Sequence, residues 1–122
     1  NISDVYIEVT NVGSSDPWAN GAIARHAGAG VTLKNAIVVS AIMPGNGECG
    51  IFAGRAWDAF TIDNVYAVIV DGTTATAGNS PQNITGVTVM NQADATADKF
   101  TGFDDSVWDL SGNIPKLKVI GA

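Results

Sequence analysis

The chain nearly repeats itself. GAIARHAG (21–28) lines up with GIFAGRAW (50–57), 29 residues on. The strand-like run LKNAIVV (33–39) lines up with IDNVYAV (62–68), again 29 residues on, and with ISDVYIE (2–8), 31 residues back. A period near thirty with two apolar runs per repeat predicts a solenoid: each repeat is one coil and buries its apolar side against its neighbours.

The expected coils cover about 1–30, 31–59 and 60–95, so that 1–95 is the coiled body. Residues 96–122 break the period and read as a C-terminal capping segment. In the aligned strand Asp4, Asn35 and Asn64 share one column. Asx residues tolerate left-handed backbone at a coil corner, and stacked side chains there can bond from rung to rung. Val5, Ala36 and Val65, then Ile7, Val38 and Ala67, then Val9, Ser40 and Ile69 form inward columns. Tyr6, Ile37 and Tyr66, with Glu8, Val39 and Val68, fall on the outer face by the period of two. Longer polar stretches, SSDPWAN (14–20), PGNGE (44–48) and DGTTATAGNSPQN (71–83), read as loops leaving the coil. The expected fold is therefore all-β, a right-handed parallel β-helix of about three coils closed by a C-terminal cap.

Composition excludes several partners. Only 15% of residues are charged and the net charge is −6. Nucleic-acid phosphates need clustered Lys and Arg, so this balance argues against nucleic acid and equally against an anionic membrane surface. The longest apolar run, AIVVSAIM (36–43), is far too short to span a bilayer, so no membrane insertion is expected. Cys49 is the single cysteine, which excludes an internal disulfide; with Glu48 and Gly50 beside it, it lacks the basic neighbours that activate a thiolate. Asn1 stands where an initiator Met would, and no signal peptide is visible, so the chain reads as processed or cut from something longer.

These motifs resemble the GLUG-type repeats of bacterial surface proteins. Gly50, Ile51, Phe52, Ala53 and Gly54 match their GGLVG-like element; Ile62, Asp63, Asn64, Val65, Tyr66 and Ala67 match their second strand. The first coil departs, with Asp4 for the Asn and Arg25 where the closing Gly would be. FDDSVWDLSGNIPKLK (103–118) resembles the ending that follows such repeats in proteins of gut Bacteroidetes. The resemblance implies a right-handed parallel β-helix in a secreted or cell-surface bacterial protein and no particular activity.

Candidate sites are few. Phe100, Phe103, Val107, Trp108 and Leu110 supply bulk for a lid over an open coil end, with LKVIG (117–121) as a last strand. Ile2 begins a strand at once, so the first coil would present an open edge to further coils or to another protein chain. Tyr6 and Tyr66, with Ile37, form an outward stripe that suits a glycan or that a loop covers. Trp18, after Pro17 in a polar loop, and Trp57 are the other candidate binding residues.

His26 and Arg55 align, with Asp58 and Asp63 nearby, as in a β-helix lyase or hydrolase. No nucleophile elbow, phosphate loop or metal-ligand spacing accompanies them, so no catalytic residue, metal or cofactor is assigned. Asp104 and Asp105 would point to opposite sides, a poor catalytic pair, and the acidic loops read as solvated. Asp105–Ser106–Val107 resembles a bacterial O-glycosylation acceptor. The favoured function is a non-catalytic extracellular module for adhesion or glycan contact, or a structural segment. The alternatives are a fragment of a polysaccharide lyase or hydrolase and a self-assembling fibre or sheath subunit.

Overall fold

The computed structural model describes residues 1–9, 24–27, 30–40, 53–56, 61–70, 78–79 and 86–119. Among these the chain is mostly strand, with two short 3-10 helices at Gln92–Asp94 and Ala97–Lys99. The strands are β1 (Ile2–Val9), β2 (Ala24–Ala27), β3 (Thr32–Ser40), β4 (Ala53–Ala56), β5 (Thr61–Ile69), β6 (Gly78–Asn79), β7 (Thr88–Asn91), β8 (Trp108–Asp109) and β9 (Lys116–Leu117). Strands alternate between two parallel sheets, one ordered β1-β3-β5-β7 and one ordered β2-β4-β6; β8 and β9 form an antiparallel pair.

Between β1, β3 and β5, and between β2 and β4, register follows the repeat residue for residue, whereas β4 and β6 pair with an irregularity between Ala53 and Arg55. Val5 pairs with Ala36 and Ala36 with Val65; Ile7 pairs with Val38 and Val38 with Ala67. In the smaller sheet His26 pairs with Arg55. The anchor of this register is the Asx column. Asp4, Asn35 and Asn64 all have positive φ, at 53°, 49° and 55°, a conformation in which a short polar side chain is least costly. Asn64 Nδ2 donates to Asn35 Oδ1 at 3.1 Å, and Asn35 Nδ2 donates to Asp4 Oδ1 at 3.4 Å. Pairing of Tyr66 with Thr88 puts Gly86, φ 87°, in line with this column just ahead of β7.

The left-handed residue also resets the alternation of side chains. Leu33 and Ala36, three apart across Asn35, lie on one face with Val38, and Ile62 and Val65 do the same across Asn64. That face buries Leu33, Ala36, Val38, Val65, Ala67 and Ile69, with Ile2, Val5, Ile7 and Val87 half-covered at the two edges.

The opposite face carries Tyr6, Ile37, Val39, Tyr66, Val68 and Met90, and here the structure departs from an exposed stripe. Residues 95–108 lie over it. Ala95, Phe100, Phe103 and Trp108 bury Ile37, Val39, Tyr66 and Val68. Tyr66 sits 4.9 Å from Phe100 and 5.6 Å from Phe103 between ring centroids, and Phe103 meets Trp108 edge-on at 4.7 Å. Tilted aromatic pairs of this kind contribute about 0.5–1.5 kcal/mol each beyond the area they bury. The Tyr66 hydroxyl also accepts from the Thr101 amide at 3.4 Å.

The C-terminal segment thus lies against one face of the four-stranded sheet. Phe100, Phe103 and Trp108 are buried as a lid requires, but Val107 and Leu110 are exposed. The expected last strand at 117–121 is instead the short antiparallel β9 beside β1, and residues 120–121 lie outside the described residues. The apolar face of the sheet gives these aromatics a surface to bury against.

Candidate functional site

With that face covered, β1, at one end of the four-stranded sheet, borders the C-terminal arm. β1 ends the sheet order, so its outer row of backbone groups has no strand partner among the described residues. Above it the C-terminal arm is fixed by local turns. The Ser106 amide donates to Asp104 Oδ1 at 2.8 Å, the Trp108 amide to the Asp104 carbonyl at 2.8 Å, and the Lys118 amide to the Val107 carbonyl at 2.9 Å. The arm and the edge enclose an open groove of about 310 Å³ lined by Asp4, Ser106, Val107, Leu117 and Lys118. Its walls are mostly apolar, with Val107 and Leu117 exposed, and Asp4 and Lys118 supply one charge of each sign.

Beside the groove Tyr6 keeps part of its surface. Its hydroxyl donates to Glu8 Oε2 at 3.1 Å, while Lys116 Nζ stands 5.8 Å from the ring centroid and 4.0 Å from Glu8 Oε2. Burial, then the hydrogen bond to Glu8 and its negative charge, push the Tyr6 phenol up to about 12. Lys116 therefore occupies the ring face that a sugar would need.

The acidic residues of the arm serve its own turns. Asp98 is held below the usual carboxylate range by the Thr96 hydroxyl, Asp104 by the Ser106 amide, and Asp109 by the Ser111 hydroxyl. Asp63 pairs with Lys34 at 3.4 Å, both exposed. Among the described residues no group of three or more His, Cys, Asp or Glu is placed to hold a metal ion, and no helix is long and apolar enough to cross a membrane.

Of the four candidate contact residues, Tyr6 is half-buried at the edge and Tyr66 is 7% exposed beneath Phe100 and Phe103. Tyr66 is therefore a core residue, and the stripe is covered. Trp18 and Trp57 lie outside the described residues, as does Asp58. The backbone register does place Arg55 next to His26. Sequence reading passed over Glu8, Lys116 and Lys118 as site residues, because no local pattern announces which strand a distant arm will reach. The chain matches no protein-family model, no curated protein and no solved structure.

Proposed function

We propose that this chain is a non-catalytic structural module of a bacterial extracellular or cell-surface protein, built as a right-handed parallel β-helix in which β1 to β7 are successive sides of stacked coils. The observation that carries this reading is the Asp4–Asn35–Asn64 column, with its matching backbone conformations and its bonds from rung to rung. Side-chain ladders of this kind belong to strands stacked in register, and they stabilise a scaffold without providing chemistry. The resemblance of the repeats and of 103–118 to GLUG-type surface proteins points the same way.

Glycan contact is the less favoured branch of the reading, because Tyr66 is buried and the Tyr6 ring is occupied by Lys116. That branch rests on Trp18 and Trp57. A glycan array and an assay for unsaturated products from acidic polysaccharides test the proposal together. The structural reading expects neither binding nor product. Binding lost on Trp18→Ala transfers the chain to the adhesion class, and ultraviolet-absorbing product transfers it to the lyases.

A further inference from the structure

The four-stranded sheet has two apolar faces, and they are packed with different kinds of side chain. One face buries Leu33, Ala36, Val38, Val65, Ala67 and Ile69, all aliphatic. The face beneath the arm buries Ile37, Val39, Tyr66 and Val68 against Ala95, Phe100, Phe103 and Trp108. Every buried aromatic ring among the described residues lies in this second layer. Stabilisation by burial scales with the apolar area removed from water, and aromatic rings remove the most. The larger of the two cores is therefore the one that sheet and arm share.

Neither partner keeps that core when the two are parted. The arm's own elements are two 3-10 helices of three residues, with no buried residue in either, and the β8–β9 pair of two residues per strand. A two-stranded pair is marginal at best by itself. The rings of Phe100, Phe103 and Trp108 have Ile37, Val39, Tyr66 and Val68 as their counter-surface. Those four residues belong to β3 and β5, the strands paired on both sides in this sheet. Tyr66 ties the two layers twice: its ring lies against Phe100 and Phe103, and its hydroxyl accepts from the Thr101 amide.

A lid works by local opening, which needs an element held by few buried contacts. The arm is held by the larger core. We propose that the arm is a permanent strap: arm and sheet open only together, as one cooperative unit, and no state with the arm released and the sheet intact is populated ahead of global unfolding. The chain then departs from repeat proteins whose stability is a sum of neighbour terms and whose units open separately. Its apolar face on β3 and β5 is never presented to a partner by itself. The inference uses the sheet and the arm alone and stands apart from the closure of the strands into coils.

Native-state amide hydrogen exchange on the full chain, followed by NMR across sub-denaturing urea concentrations, is the test. The probes in the arm are the Trp108 and Lys118 amides, which donate to the Asp104 and Val107 carbonyls. Those in β3 are the Val38 and Val39 amides. The wild type is expected to show protection factors at all four within about tenfold of one another, with the same urea dependence, which reports the surface exposed on opening. Ile69→Val changes the face of the sheet away from the arm. It is expected to lower protection at Trp108 and Lys118 by the same factor as at Val38 and Val39, about two- to tenfold. Should Ile69→Val fail to fold, the wild-type comparison decides alone. Arm amides that are more than about tenfold less protected than β3, that show a shallower urea dependence, or that Ile69→Val leaves unchanged while β3 loses protection, overturn the proposal.

Discussion

The indole Nε1–H of Trp108 donates to Oδ1 of Asp4 at 3.1 Å, joining residues 104 positions apart. The same carboxylate oxygen accepts from Asn35. Asp4 is therefore the place where the ladder of corner side chains and the C-terminal arm share one acceptor, and the fully buried Trp108 depends on it for its only polar group.

Trp108→Phe should cost about 1–2 kcal/mol, since it removes the indole donor from the half-buried Asp4 while keeping most of the apolar bulk. Trp108→Ala should cost about 3–5 kcal/mol, because it also opens a cavity between Ile37 and Phe103. Urea unfolding midpoints at constant m-value read both. Equal losses for the two variants would mean that the hydrogen bond contributes nothing.

Replacing Asn35 separates backbone strain from side-chain bonding. Asn35→Gly keeps the positive φ free of cost but deletes the bonds to Asp4 and from Asn64, for about 1–2 kcal/mol. Asn35→Ala loses the same bonds and adds about 1 kcal/mol for left-handed backbone with a Cβ. The expected order of stability is wild type, then Gly, then Ala. Thermal melts giving Ala above Gly would contradict the positive φ.

Gly102 has φ 78°, and a Cβ on it would approach Asn64 Nδ2 to 3.3 Å. Gly102→Ala therefore combines backbone strain of about 1 kcal/mol with pressure on the ladder amide. Its effect should be smaller in an Asn64→Ser background, where the shorter side chain yields. A double-mutant cycle measures that coupling, and additive losses would place Gly102 away from the ladder.

Alkaline titration should show one tyrosine ionising near 12, where the Tyr6 phenol is pushed. Its folded-state value lies above the unfolded one, so the native state holds this proton when the unfolded chain has released it. The stability this provides is complete below pH about 10, the ordinary phenol value, and is lost as pH rises through the folded value. Glu8→Gln should lower the phenol only part of the way, because burial is the largest cause. A full return to the ordinary value would make Glu8 the dominant cause instead.

The repeat made the register legible because stacked parallel strands keep equivalent residues in one column, so alignment of 2–8, 33–39 and 62–68 already paired Val5 with Ala36 and Tyr6 with Ile37. The Asx corner was legible for the same reason. What the period of two misjudged was exposure. Val65–Ile69 holds five consecutive buried residues with no polar residue among them, and such an unbroken apolar run signals a parallel strand covered on both faces. That signal was present in VYAVI. The identity of the cover was not: nothing local to Phe100, Phe103 or Trp108 states that they turn back along the sheet rather than close its end. The fourth strand was missed because Gly86 follows Asn64 sooner in the sequence than the repeat length allows.

The arm also fixes a number. Gly102 abuts the corner amide of β5 and Trp108 reaches the corner carboxylate of β1, so the stretch between them spans the rungs of β5, β3 and β1. Adjacent strands are about 4.8 Å apart. Adding a strand inside that span would pull the indole a whole strand spacing short of Asp4, and deleting one would leave slack over Ile37 and Tyr66. The arm acts as a gauge, and any change in the number of strands between β1 and β5 requires a matching change in the length of 102–108.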